Sequence, residues 1–338
     1  MSALRVLRAD GLISVQDMGR EGYLAQGLSR GGAMDRLALL EAAALLGAET
    51  PLAGLEMAGA GGLFEVTRPM RIALTGAPMR ADLDGVALRW NAAHPFLPGQ
   101  QLRIGGAQAG SYGYLVPGGE LATPDWLGSR AAHLSVGIGA RVESGLTLPC
   151  ADDPAPDRPA RGLPATQRFG GGTVRVADGP QTALFDPAVI ASFFETGFVR
   201  APRGNRQGVQ LDAETRFAAQ GAAGLASDVI GPGDVQMTGD GVPYILLAEC
   251  QTIGGYPRIG KVIPADLPIV AQAPPGARLR FSRLSPDQAD ALWRSEAEQL
   301  RTLRAACHPL IRDPSEMGDL LSYQLIGGVT SGDDLERG

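Results

Sequence analysis

Cysteine is scarce: Cys150, Cys250 and Cys307 are the only three in 338 residues, far apart and odd in number. That spacing excludes a disulfide framework or a CxxC metal knuckle and fits a reducing compartment. Histidine is as sparse. His94, His133 and His308 lack the spacing of a ligand set, so each is expected at the surface or in a loop, and no metal site is expected. HExxH and P-loop motifs are absent, which disfavours a metalloenzyme. With a formal charge of −6 and no basic run, the chain lacks the clustered cations that a nucleic-acid surface needs. No run of about 18 apolar residues occurs that would span a membrane. The opening stretch, MSALRVLRADGLISVQDMGR, reaches charged residues too early for a signal peptide, so a cytoplasmic location is expected. Lysine is nearly missing too: of 30 basic residues only Lys261 is not arginine. It is either a compact ammonium for an anion or a lone survivor of compositional bias.

Glycine and proline are plentiful, at 47 and 25 residues without a strict repeat. Such a composition favours many short strands joined by tight turns, so the fold class expected is mainly β with a few helices. The length suits two domains. Alternation over residues 4–16, with Gly11 as a turn, reads as an opening hairpin. AMDRLALLEAAALLG has helical spacing and a terminal glycine, which predicts a helix over 33–46. Short strands follow at 64–66, 71–76 and 101–105. Five prolines between Pro149 and Pro164 mark a linker, since proline continues neither a ladder nor a helix. Beyond it, TVRVADG reads as a strand, and DPAVIASFFETG as a helix with Asp186 as N-cap and Pro187 at its first position. PDQADALWRSEAEQLRTLRAA predicts one long closing helix opened by Ser285. The division is therefore 1–150, a linker at 151–164, 165–285, and a C-terminal helix and tail at 286–338. A faint repeat relates Glu56-Met57-Ala58-Gly59-Ala60-Gly61 to Gln236-Met237-Thr238-Gly239-Asp240-Gly241, as one β-unit used twice would.

Four polar clusters are candidates for chemistry. Asp17 and Arg20 with Gly31, Gly32 and Asp35 place glycines before a helix, an arrangement that presents N–H groups to an anion; the same residues serve equally to brace a turn and cap the helix. Ser129 with Arg130, and Asn205 with Arg206, set a guanidinium among small neighbours, suited to a carboxylate or phosphate or to tying loops to carbonyls. The densest cluster runs through Gln251, Thr252, Gly254, Gly255, Tyr256 and Arg258 to Lys261, Asp266 and Gln272. Three amide or hydroxyl side chains and two cations in so short a span point to polar recognition, with Tyr256 as a lid or core residue. Asp17, Gln251 and Arg258 are the catalytic candidates. Arg20, Asp35, Ser129, Arg130, Asn205, Arg206, Thr252, Gly254, Gly255 and Tyr256 are candidate substrate or phosphate contacts.

VQDMGREGY with GGAMD, LEMAGAGG, ALTGA, GGEL with LGSR, NRQGVQL, PGDVQMTGDGVP and QTIGGYPRIGKVIPADLP occur in that order. Together, over residues 12–280, they resemble the family of the 5-oxoprolinase C subunit, allophanate hydrolase subunit 2 and biotin-dependent carboxyltransferases. The resemblance implies two tandem cyclophilin-like β-barrel domains. It implies one component of an enzyme that opens 5-oxoproline to glutamate, working with A-like and B-like 5-oxoprolinase partners and using ATP with Mg bound with a partner. Two alternatives come with it. One is carboxyl transfer from biotin to urea or a related small amide, with biotin on another chain because no Met-Lys-Met signature occurs here. The other is a regulatory binding protein paired with a B-like partner.

Overall fold

The structure is a computed structural model that describes residues 2–219 and 225–311. Helices are few, and five α-helices stand among the described residues: α1 (Arg36–Leu46), α2 (Pro187–Glu195), α3 (Leu267–Gln272), α4 (Pro286–Leu292) and α5 (Glu296–Ala306). None is long and apolar enough to cross a membrane.

The first half consists of two antiparallel sheets. A six-stranded sheet holds Thr147–Cys150, Ser2–Ala9, Ala60–Val66, Leu102–Ala107, Met79–Leu83 and Val86–Ala87, in that order. A seven-stranded sheet holds Leu12–Gln16, Gly54–Ala58, Tyr112–Pro117, Met70–Gly76, Ala92–Phe96, Arg161–Gly162 and His308–Pro309. Their inner faces enclose Leu4, Ile13, Leu55, Phe64, Ile72 and Phe96, all fully or almost fully buried. Alternating side chains give each strand an apolar face, and the two faces cover one another. Helix α1 lies on the outer face of the seven-stranded sheet with nine of its residues buried, and α5 packs beside it through Leu300.

The second half closes into a seven-stranded barrel in the order Gly171–Ala177, Arg258–Val262, Asp234–Met237, Pro243–Leu246, Gly208–Asp212, Gly197–Asn205 and Arg278–Leu284. The first and last of these pair in parallel from Gly171 with Arg278 to Ala177 with Leu284, which removes both sheet edges. Aromatic side chains are rare in the chain, yet Phe193, Phe198, Phe217 and Phe281 gather inside this barrel with ring centroids 5.0–5.6 Å apart. Helix α2 carries Phe193 into the group, and its start is held by the Asp186 side chain, which accepts from the Ala188 N–H at 2.8 Å.

Several expectations change. Residues 4–16 form two strands that do not pair with one another; they enter different sheets, Leu4 opposite Val66 and Leu12 opposite Ala58. At the crossing, a Cβ on Gly11 would lie 2.7 Å from the Ala60 carbonyl oxygen, so only glycine permits the approach. Helix α1 begins at Arg36, not at 33, because Asp35 caps it by accepting from the Ala38 N–H. The long closing helix is two helices. Trp293 turns extended, and Ser295 opens α5 with a second capping box to Glu298, just as Ser285 opens α4 with Gln288. The related six-residue blocks also differ in use: Gly59 joins strands of two sheets, whereas Gln236–Gly241 turns a hairpin inside the barrel. Within the linker, Arg161–Gly162 adds to the first half's sheet. The expected tail beyond residue 311 lies outside the described residues.

Candidate functional site

Strand alternation decides which motif residues reach solvent. In the barrel, Val235, Met237, Val209, Leu211 and Ile245 point into the core, which turns Gln236, Gln210, Tyr244 and Leu246 to the outer face. The pairings align Gln210, Tyr244 and Gln236 in one row across three strands, and the Tyr244 hydroxyl donates to Gln210 Oε1 at 2.6 Å. A pocket of about 390 Å³ opens over this face. Its floor is Gly208, Tyr244, Leu246 and Gln236; its walls include Arg203, Asn205, Gln207, Cys250, Gln251 and Tyr256. Burial and then nearby Asp234 push the Cys250 thiol up to about 12, so it stays neutral. The polar part of the lining is made of uncharged amides and hydroxyls, with Arg203 as its cation.

The walls are anchored from behind. Asn205 and Gln207 line the pocket while Arg206, between them, points inward. The Arg206 guanidinium donates to Glu249 Oε1 and to the Gly32 carbonyl, both at 2.6 Å, and pairs with Glu56 of the first half. Burial would lower this guanidinium, but Glu56 and Glu249 overturn that and hold it above its ordinary value. From Glu56 the network continues. Glu56 Oε2 accepts from the Tyr114 hydroxyl at 2.7 Å, and the Tyr114 oxygen accepts from the Asp35 N–H at 2.8 Å. Asp35 Oδ2 accepts from Arg168 Nε at 2.7 Å and Gln272 Nε2 at 2.8 Å, and Arg168 also holds Glu41. All of these side chains are buried. One polar seam thus joins the two halves and backs both walls of the pocket.

The sequence-selected residues fall into three places. Asn205, Gln251 and Tyr256 line the pocket, Tyr256 half-exposed at its rim. Thr252, Gly254, Gly255 and Arg258 belong to the segment beside it. Ile253–Gly254 pairs with Asp228–Val229 as a two-stranded ribbon. Arg258 is spent on structure: it donates to Val229 O at 2.7 Å and to Gln181, and pairs with Asp228 and Asp234. Lys261 pairs with Asp234 at 2.9 Å, and Asp266 with Arg175. Asp17, Arg20, Asp35, Ser129, Arg130 and Arg206 lie elsewhere, in loop braces and the seam. Asp17 accepts from Gly19 N, Ser129 Oγ and Arg130 N at 2.7–2.8 Å, and Arg130 pairs with Glu120. Arg20 is buried and donates to the Ala131 carbonyl; desolvation lowers its pKa. The structure therefore does not gather these residues into one site. Sequence reasoning missed Arg203, Gln207, Gln236, Thr238 and Tyr244. Gln236 was reachable, because Val235 and Met237 on either side already fix its face.

Of the histidines, His94 departs from expectation, buried within the strand Ala92–Phe96. His133 lies in a loop as expected, yet it is buried, 2.9 Å from Ser29 Oγ, 3.0 Å from Ser135 Oγ and 3.7 Å from Glu249 Oε2.

Comparison with known proteins places this geometry in a family. Residues 26–283 match the family described as carboxyltransferase domain, subdomain A and B. The chain is 32% identical to the 5-oxoprolinase C subunit of Escherichia coli over 290 residues, covering 85% of this chain and 93% of that protein. It is 29% identical to the 5-oxoprolinase C subunit of Haemophilus influenzae, covering 86% and 94%. Among solved structures, the K. lactis urea amidolyase superposes with a TM-score of 0.80 at 25% identity, over 89% of this chain and 20% of that larger one. The extent of these matches, running through both halves and the pocket residues, shows that the chain belongs to the carboxyltransferase domain, subdomain A and B, family.

Proposed function

We propose that the chain is the C-type component of an ATP-dependent 5-oxoprolinase that opens 5-oxo-L-proline to L-glutamate together with A-like and B-like partners. The observation that carries this reading is the pocket on the barrel's outer face. Asn205, Gln207, Gln236 and Gln251 offer neutral donors and acceptors for a lactam, and Arg203 offers a cation for its carboxylate. The similarity to two 5-oxoprolinase C subunits along nearly their whole length supports it. With one cation and no carboxylate in its lining, the pocket does not by itself fit a magnesium nucleotide. ATP with Mg is assigned to the assembly completed by the partner.

A second reading, carboxyl transfer from biotin carried on another chain to urea or a related small amide, is favoured by the family description and by the fold shared with urea amidolyase. Reconstitution separates the two. The chain combined with its A-like and B-like partners is expected to release glutamate from 5-oxoproline only when ATP is present, and the chain alone is expected to be inactive. Gln251→Ala is expected to lower kcat/KM about tenfold by removing one pocket contact. An assembly that releases no glutamate, but carboxylates urea when given a biotin carrier, would overturn the first reading in favour of the second. Glutamate release by the isolated chain would overturn its assignment as one component of a larger enzyme. If glutamate release is unchanged in Gln251→Ala, the pocket is not the site.

A further inference from the structure

Gln236 stands apart from the other pocket amides. It is only 8% exposed, it lines the pocket, and its side-chain Nε2 is buried without a hydrogen-bond partner among the described residues. A buried amide donor left unpaired costs about 1–3 kcal/mol, so a native fold keeps one where something else supplies the acceptor. Its neighbours preserve this arrangement. Tyr244, beside it on the adjacent strand, spends its hydroxyl on Gln210 and not on Gln236. On the other side, a Cβ on Gly254 would lie 2.9 Å from Gln236 Nε2 and 2.8 Å from Ile230 Cδ1. A side chain at 254 would collide with the amide, so glycine there is what lets the ribbon pack against it.

We propose that Gln236 is the carbonyl-binding residue of this pocket, donating from Nε2 to the carbonyl oxygen of a small amide or lactam. The proposal rests on the functional reading above and names the atom that recognises the substrate. The two polar ends of the pocket divide the work. Gln236 is deep, on the strand that forms the floor, whereas Arg203 is exposed. A lactam acid such as 5-oxoproline would place its ring carbonyl inward at Gln236 and its carboxylate outward at Arg203. Cys250 remains a neutral thiol in the wall and supplies no competing charge.

Ligand-observed NMR titration of the full-length chain tests this with three probes: 5-oxo-L-proline, 2-pyrrolidinone, which keeps the lactam without the carboxylate, and urea. In Gln236→Met, a near-isosteric change that removes the donor, affinity for both lactams is expected to fall about five- to tenfold. Gln236→Glu, which keeps the shape and replaces the donor by an acceptor, is expected to lose at least as much. Arg203→Ala is expected to weaken 5-oxoproline but not 2-pyrrolidinone. Thermal unfolding of each variant separates loss of binding from loss of fold, and should Gln236→Met not fold, Gln236→Glu decides. Lactam binding unchanged in both Gln236 variants would overturn the carbonyl assignment while leaving the oxoprolinase reading intact. Urea binding that depends on Gln236, with no lactam binding by the wild type, would uphold the carbonyl assignment and overturn that reading. Wild-type chain that binds none of the probes would overturn the pocket assignment.

Discussion

Two buried histidines give the molecule a pH response that its composition does not announce. Burial, as the leading cause, lowers the pKa of both His94 and His133 below the ordinary value of about 6.5. His133 is neutral between Ser29 and Ser135, even though Glu249 pulls it the other way. As pH falls below about 6.5 the unfolded chain takes up protons that the folded chain still refuses. Stability is therefore full above that value and declines as pH drops from it towards the lowered folded values. Each histidine contributes a slope of up to about 1.4 kcal/mol per pH unit across that interval. Urea denaturation between pH 7.5 and 5.5 is expected to show the decline, and His133→Gln is expected to flatten part of it, leaving the share due to His94. An identical slope in wild type and His133→Gln would remove His133 from this role. Neither side chain was legible as buried from sequence. A histidine between Ala132 and Leu134, or between Ala93 and Pro95, carries no local sign of what packs above it.

At the scale of elements, the sequence announces starts better than partners. Asp186 with Pro187, Ser285 with Pro286, and the glycine after α1 were all readable because a cap is a contact among residues close in the chain. The first two strands were equally visible as strands. Their separation into two sheets was not, since it depends on the approach of Gly11 to Ala60, fifty residues away in the chain. The break between α4 and α5 fell between these cases. Helical spacing runs on through Trp293, and the local signal that overrides it is Ser295 followed three residues later by Glu298. Removing that cap tests its weight. Ser295→Ala is expected to destabilise the fold by about 1 kcal/mol, read as a lower denaturant midpoint at an unchanged m-value. No change in midpoint would mean that packing of Leu300 against α1, and not the cap, fixes where α5 begins.

At the scale of the whole molecule, short polar runs divide between two tasks, pocket lining and seam, within a few residues. In Asn205-Arg206-Gln207 the outer two residues line the pocket and the middle one enters the seam; in Glu249-Cys250-Gln251 the first enters the seam and the next two line the pocket. A run of polar residues in sequence therefore reads as one site, although the turns at 206–207 and 248–249 have already split it between pocket and seam. Arg206 is where the tasks meet, because it links Glu249 behind the pocket wall to Glu56 and Gly32 in the first half. Arg206→Ala leaves two buried carboxylates without their partner, so it is expected to cost about 3–5 kcal/mol of stability, far more than a surface arginine would. Arg206→Ala paired with Glu56→Gln is expected to cost less than the sum of the two single changes, since the carboxylate stranded by the first is neutralised by the second. The same substitution reaches function through position alone: Arg206 does not line the pocket, so its loss is expected to weaken 5-oxoproline binding by loosening both walls at once. Denaturant titration and ligand titration of the single and double variants measure both effects. Strictly additive costs, or binding unaffected in a folded Arg206→Ala chain, would show that the seam joins the halves without shaping the pocket.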